Sequence, residues 1–145
     1  MITQIDSSKA KKSGIHWRRV LLAAVMSEAA VILTLIAITV TYSFAIAPGL
    51  SEADYNEFAQ LAGYYVAPTA GALSTFLMVL WMARTLKSDF IANGVLVGIA
   101  SVLLTVGFLA SARPQDRLMY LIAFGLRIGA GYAGGLTARR MFTRD

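Results

Sequence analysis

The 145-residue sequence contains no cysteine and a single histidine, His16. Without a thiol there is neither disulfide exchange nor a thiol nucleophile, and this absence leaves the compartment open. His16 has no second histidine, cysteine or carboxylate near it in sequence, so no metal and no cofactor is expected. No nucleophile stands beside a base, and there is no phosphate-binding glycine loop, so the chain is not expected to be an enzyme. Charge is the other shortage. Only 14% of residues are charged, against about a quarter in an average soluble domain, while 57% are apolar. Such a balance describes an all-α integral membrane protein.

Four runs are apolar enough to span: Val20 to Ala47, Phe58 to Ala83, Phe90 to Ala112 and Leu118 to Ala138. Each reaches the roughly 20 residues needed to cross a hydrocarbon core of about 30 Å. The first run is much longer than the apolar core of a secretory signal and is read as retained. The expected organisation is a tail over residues 1–16, cytoplasmic and disordered, then a membrane domain over 17–145. Its helices fall at about 18–47, 52–86, 89–112 and 116–140, packed as a compact four-transmembrane-helix bundle.

Lysine and arginine are disfavoured on the translocated side. Lys9, Lys11, Lys12, Arg18, Arg19, Arg84, Lys87, Arg139, Arg140 and Arg144 fall on one side of the four spans, and only Arg113 and Arg117 on the other. Both termini are therefore expected to be cytoplasmic, in a multi-pass protein of the inner (plasma) membrane. The net charge of +5 is this topology signal together with attraction to anionic headgroups, and no nucleic-acid partner is implied. On the opposite side "PGLSEADYNEF" carries Glu52, Asp54 and Glu57 at the positive end of the second helix, with Ser51 as its cap.

Helices in lipid approach one another through small residues. Ala23, Ser27, Ala30, Thr34, Ala37 and Thr41 form a seam on the first helix, and Gly94, Gly98, Ser101 and Thr105 on the third. The second offers Ala67, Ala70, Gly71 and Ser74. The fourth is densest, and Gly125 with Gly129, or Gly131 with Gly135, fits a Gly-x-x-x-Gly face that also suits a homo-oligomer.

Two certain charges lie inside the spans, Glu28 and Arg127. Glu28 is about 12 Å from one boundary of its helix and Arg127 about 16 Å from the same side, so they share a depth. An isolated charge there costs about 2.5–3.5 kcal/mol on an insertion scale, which favours a mutual pair. Pro68 belongs to the same layer and frees the carbonyl of Tyr64, a candidate acceptor for the guanidinium. Tyr64, Tyr65, Tyr120, Trp17 and Trp81 read as an interfacial aromatic belt, with a polar pocket as the alternative for the tyrosines.

The segments "WMARTLKS", "IANGVLVGIASVLL" and "GAGYAGGLTARRM" give a layout that resembles small uncharacterised four-helix bacterial membrane proteins, a family that brings no known activity. A lone carboxylate in the first of four helices is also similar to the small multidrug resistance exporters, where that residue binds cationic drugs and protons. Only Glu28 carries over, and Arg127 at its depth departs from the pattern. The reading is a non-catalytic accessory or structural membrane protein that binds a lipid or a partner protein within the membrane. The alternative is a small transporter or channel subunit using Glu28 and Arg127. A transporter needs a cavity reaching the charged layer, whereas a purely structural pair is sealed by packing.

Overall fold

The computed structural model describes residues 14–111 and 116–143. Most of the tail expected over 1–16 therefore lies outside the described residues, as do Arg113 and the junction of the third and fourth spans. The chain is helical: α1 covers Trp17–Thr41 and runs on through a π-helical turn at Tyr42–Ile46, α2 covers Glu52–Ala83, α3 Phe90–Ser111 and α4 Arg117–Phe142. All four helices are long and apolar enough to cross a membrane.

Local chemistry sets the helix ends. Gly49, at φ +88°, takes the left-handed position in the turn after Pro48. Ser51 then closes a capping box: its Oγ accepts the Asp54 N–H at 3.3 Å, and Asp54 Oδ2 accepts the Ser51 N–H at 3.1 Å. The Tyr55 hydroxyl donates to the Ala47 carbonyl at 2.8 Å and accepts the Leu50 N–H at 3.1 Å, tying this turn to α2. Tyr42, in the π-helical turn, stacks on Phe58 with ring centroids 3.6 Å apart. Pro68 is accommodated inside α2, the longest helix at 32 residues.

Around the bundle the order is α1, α2, α4, α3, with α2 and α3 approaching each other across the middle and α1 and α4 farthest apart. The closest crossing is between α3 and α4, backbone on backbone. A Cβ on Gly94 would run into the Gly131 carbonyl, and one on Gly131 into the Gly94 carbonyl. One on Gly98 would lie 2.8 Å from the Arg127 carbonyl oxygen, and one on Gly135 2.7 Å from Ile91 Cα. The pairs Gly94 with Gly98 and Gly131 with Gly135 thus face each other within one chain, whereas Gly125 and Gly129 face open space.

The main apolar cluster lies in the half of the bundle nearer the chain termini, where Val20, Ala23 and Ala24 of α1 meet Val79 and Met82 of α2, Phe90 and Val97 of α3, and Ala138 of α4. Farther along α1 the expected seam is not followed. Ala23 and Ser27 are buried, but Thr34, Ala37 and Thr41 are exposed, and Val31 is the last buried residue. A 3.5-residue repeat drifts by about 20° per heptad on a straight helix, so this stripe turns away from α2 as the helix proceeds. The Thr34 hydroxyl is satisfied within its own helix by the Ala30 carbonyl at 2.8 Å.

Candidate functional site: an ion pair at a cavity floor

Arg127 is brought inward by the glycine crossing just described, because its own backbone sits against Gly98 of α3. Its side chain then runs across the bundle toward α1, and Nη1 donates to Oε1 of Glu28. The two side chains are 7% and 15% exposed. Among the described residues this is the one ion pair, and it joins the two helices that stand farthest apart. Arg127 Nε is buried with no hydrogen-bond partner, as is Ser101 Oγ on α3.

On the terminal side of the pair lies a layer of hydroxyls. Ser74 Oγ donates to the Gly71 carbonyl at 3.1 Å. Each hydroxyl has one hydrogen, so the Ser27–Ser74 contact at 2.8 Å is donated by Ser27, and the Ser27–Thr75 contact at 3.1 Å by Thr75. The resulting chain runs from Thr75 through Ser27 and Ser74 to the Gly71 carbonyl, and it satisfies three buried polar side chains without water. Lower still, Asn93 is fully buried. It takes the His16 N–H at 3.0 Å and donates to the Asp89 carbonyl at 2.9 Å, fastening the start of α1 to α3. Arg19 donates to the carbonyl and hydroxyl of Thr85 at 2.7 and 2.9 Å.

On the other side of the pair the helices part around a cavity of about 980 Å³. Glu28, Arg127 and Pro68 form its floor, and Val31, Leu35, Leu61, Leu104, Met119 and Phe124 its apolar walls. Glu57 and Gln60 of α2, with Asp116 and Tyr120 of α4, line its far end. Asp116 and Arg127 are eleven residues apart on one helix, so the cavity extends about 16 Å along the bundle. Glu57 and Gln60 are exposed, so the cavity has a mouth at this end, and the exposed Ile32, Leu61 and Leu104 leave it open along its side as well. Neither Glu57 nor Asp116 has an ion-pair partner among the described residues.

The residues singled out on the sequence are thus divided. Glu28, Arg127, Pro68 and Tyr64 meet at one cavity, with Tyr64 on its wall and 39% exposed. The Tyr64 carbonyl takes no bond from Arg127 among the described residues. Ser27 joins the hydroxyl layer, and Gly94, Gly98, Gly131 and Gly135 make the α3–α4 crossing. Gly125 and Gly129 take part in neither. Sequence reasoning missed Thr75 and Asn93, of which Asn93 was signalled by its place in an otherwise apolar run, and it missed the convergence of Glu57 and Asp116 on one mouth. No group of three His, Cys, Asp or Glu side chains suited to a metal gathers among the described residues.

Comparison of the chain with protein-family models, with curated proteins and with solved structures gives no match, so the site's own chemistry carries the functional argument.

Proposed function

We propose that this chain is a multi-pass protein of the bacterial inner membrane, with both termini cytoplasmic, that acts without catalysis by holding an amphiphilic molecule, foremost a membrane lipid, in the cavity above Glu28 and Arg127. The observation that carries this reading is the cavity itself. Ligand sites are typically concavities of about 300–1,000 Å³ with mostly apolar walls and a few polar groups that orient the ligand. A volume of about 980 Å³ with aliphatic and aromatic walls, an ion pair at one end and carboxylates at the other fits that description. A pair that served helix register alone would be sealed by packing, and this one borders open space. In such an accessory role, a partner protein or a second copy has the exposed Gly125–Gly129 face as its point of approach.

The position of the pair supports a second reading, a small transporter or channel subunit. The cavity approaches the charged layer from one end, and the apolar core blocks the other, which is the form of a site open to one side.

Native mass spectrometry of the chain reconstituted in bilayers of phosphatidylethanolamine and phosphatidylglycerol tests the lipid reading. The wild type is expected to retain a bound phospholipid that Ala123→Trp, which fills the cavity, loses. Equal retention by both would mean that the lipid is bound elsewhere. Proton flux into vesicles that depends on Glu28 would favour the transporter. Reporter fusions at the two termini are expected to read cytoplasmic and one at Glu52 external.

A further inference from the structure

We propose that Gly71 is a positioning residue for the ion pair: the missing side chain at this point of α2 leaves the corridor through which Arg127 reaches Glu28. The inference holds whatever ligand the cavity takes.

The bundle order creates the need. Arg127 projects from α4 and Glu28 from α1, the two helices farthest apart, so the guanidinium must pass alongside α2. It passes at Gly71. A Cβ built on that residue would lie 2.7 Å from Arg127 Nε, 2.9 Å from Nη2 and 3.1 Å from Cζ. These three atoms belong to a single planar group, so no rotation of one atom clears the clash. The group is also held at its far edge, since Nη1 is the atom bonded to Glu28. Displacing the guanidinium from α2 therefore means drawing it off the carboxylate or pushing α2 outward.

Gly71 differs in this from the other described glycines. At Gly94, Gly98, Gly131 and Gly135 the nearest obstacle is backbone of the facing helix, and at Gly134 it is Val79. Those positions serve helix approach. Gly71 alone among the described glycines has a charged side chain as its nearest neighbour. Its backbone is also engaged, because its carbonyl ends the hydroxyl chain from Thr75 through Ser27 and Ser74. The surface that supports the guanidinium is thereby fixed from below.

A sign reversal makes the idea testable. Inside a helix glycine is less favourable than alanine, so Gly→Ala at an unconstrained position raises stability. Here the substitution is to be made in two backgrounds, the wild type and Glu28→Gln/Arg127→Leu, whose shorter apolar side chain leaves the corridor empty. The melting temperature of each purified chain in detergent is the readout. Gly71→Ala is expected to lower it by about 4 °C or more in the wild type, and to leave it unchanged or raise it in the Glu28→Gln/Arg127→Leu background. An equal fall in both backgrounds would assign Gly71 to helix packing and overturn the proposal, and so would the absence of any effect in the wild type. If Gly71→Ala in the wild type does not fold, recovery of a folded chain on adding Glu28→Gln and Arg127→Leu supports the proposal, and failure to recover overturns it.

Discussion

The two halves of this bundle use similar residues to opposite ends. In the half nearer the termini, Gly94 and Gly98 meet Gly131 and Gly135 so closely that no side chain fits between them, and Val20, Val79 and Val97 are fully buried. In the other half, α1 and α4 carry many small or apolar side chains as well, yet Gly125 touches nothing and Thr34 and Ala37 are exposed. Small residues permit close approach, and they produce it only where the facing helix presents small residues at the same level. α3 does so at Gly94 and Gly98. Toward its other end it turns Leu104 and Thr105 to the cavity, and the helices part there. The charged pair sits on the boundary between the halves.

That boundary is where the largest effect is expected. Removing one member of a buried ion pair leaves an uncompensated charge, at a cost of about 3–5 kcal/mol. Arg127→Gln or Glu28→Gln alone should therefore lower stability in detergent steeply, while the double substitution loses less than the sum, with a coupling of about 1–3 kcal/mol. Strict additivity would separate the two residues and remove the boundary. Next in size is Gly131→Val. It forces a branched side chain against the Gly94 carbonyl and should cost about 1–3 kcal/mol or more. Gly125→Val, on the same helix but in the open half, should stay within about 0.5 kcal/mol. Equal losses would erase the distinction between the halves. Ser27→Ala, which interrupts the hydroxyl chain, should cost about 1 kcal/mol. Thr34→Ala, whose hydroxyl bonds only to its own helix, should cost nothing measurable in the same thermal melts.

How much of this is legible in the sequence follows from the range of each interaction. The four spans, the Ser51 cap and the common depth of Glu28 and Arg127 depend on composition, near neighbours and rise per residue, all of which a linear sequence carries. The rotation of each helix does not. Gly125, Gly129, Gly131 and Gly135 are equivalent as a pattern, and only the facing surface of α3 decides that the latter two are used within the chain. The corridor at Gly71 is hidden for the same reason, since Gly71 reads as one small residue in a seam with Ala67, Ala70 and Ser74. Asn93 depends on a backbone N–H at His16, 77 positions away. The cavity is the least legible feature, because it results from a mismatch between helices; Glu28, Arg127 and Pro68 stand out in the sequence, but nothing in it says that the helices part beyond them.

A packed half closed to solvent beneath an open half that reaches the ion pair is distinguishable by thiol labelling, for which the absence of native cysteine leaves no background. Single substitutions Ala67→Cys, Thr105→Cys and Ala123→Cys place a thiol on the cavity wall, and Ser27→Cys, Thr75→Cys and Val97→Cys place one in the packed layers. Reaction with a small charged methanethiosulfonate in reconstituted bilayers is the measurement. The first three are predicted to be modified readily and the last three to stay unmodified on the same timescale. Protection of all six, or modification of all six at similar rates, would contradict the division of the bundle into a sealed and an open half.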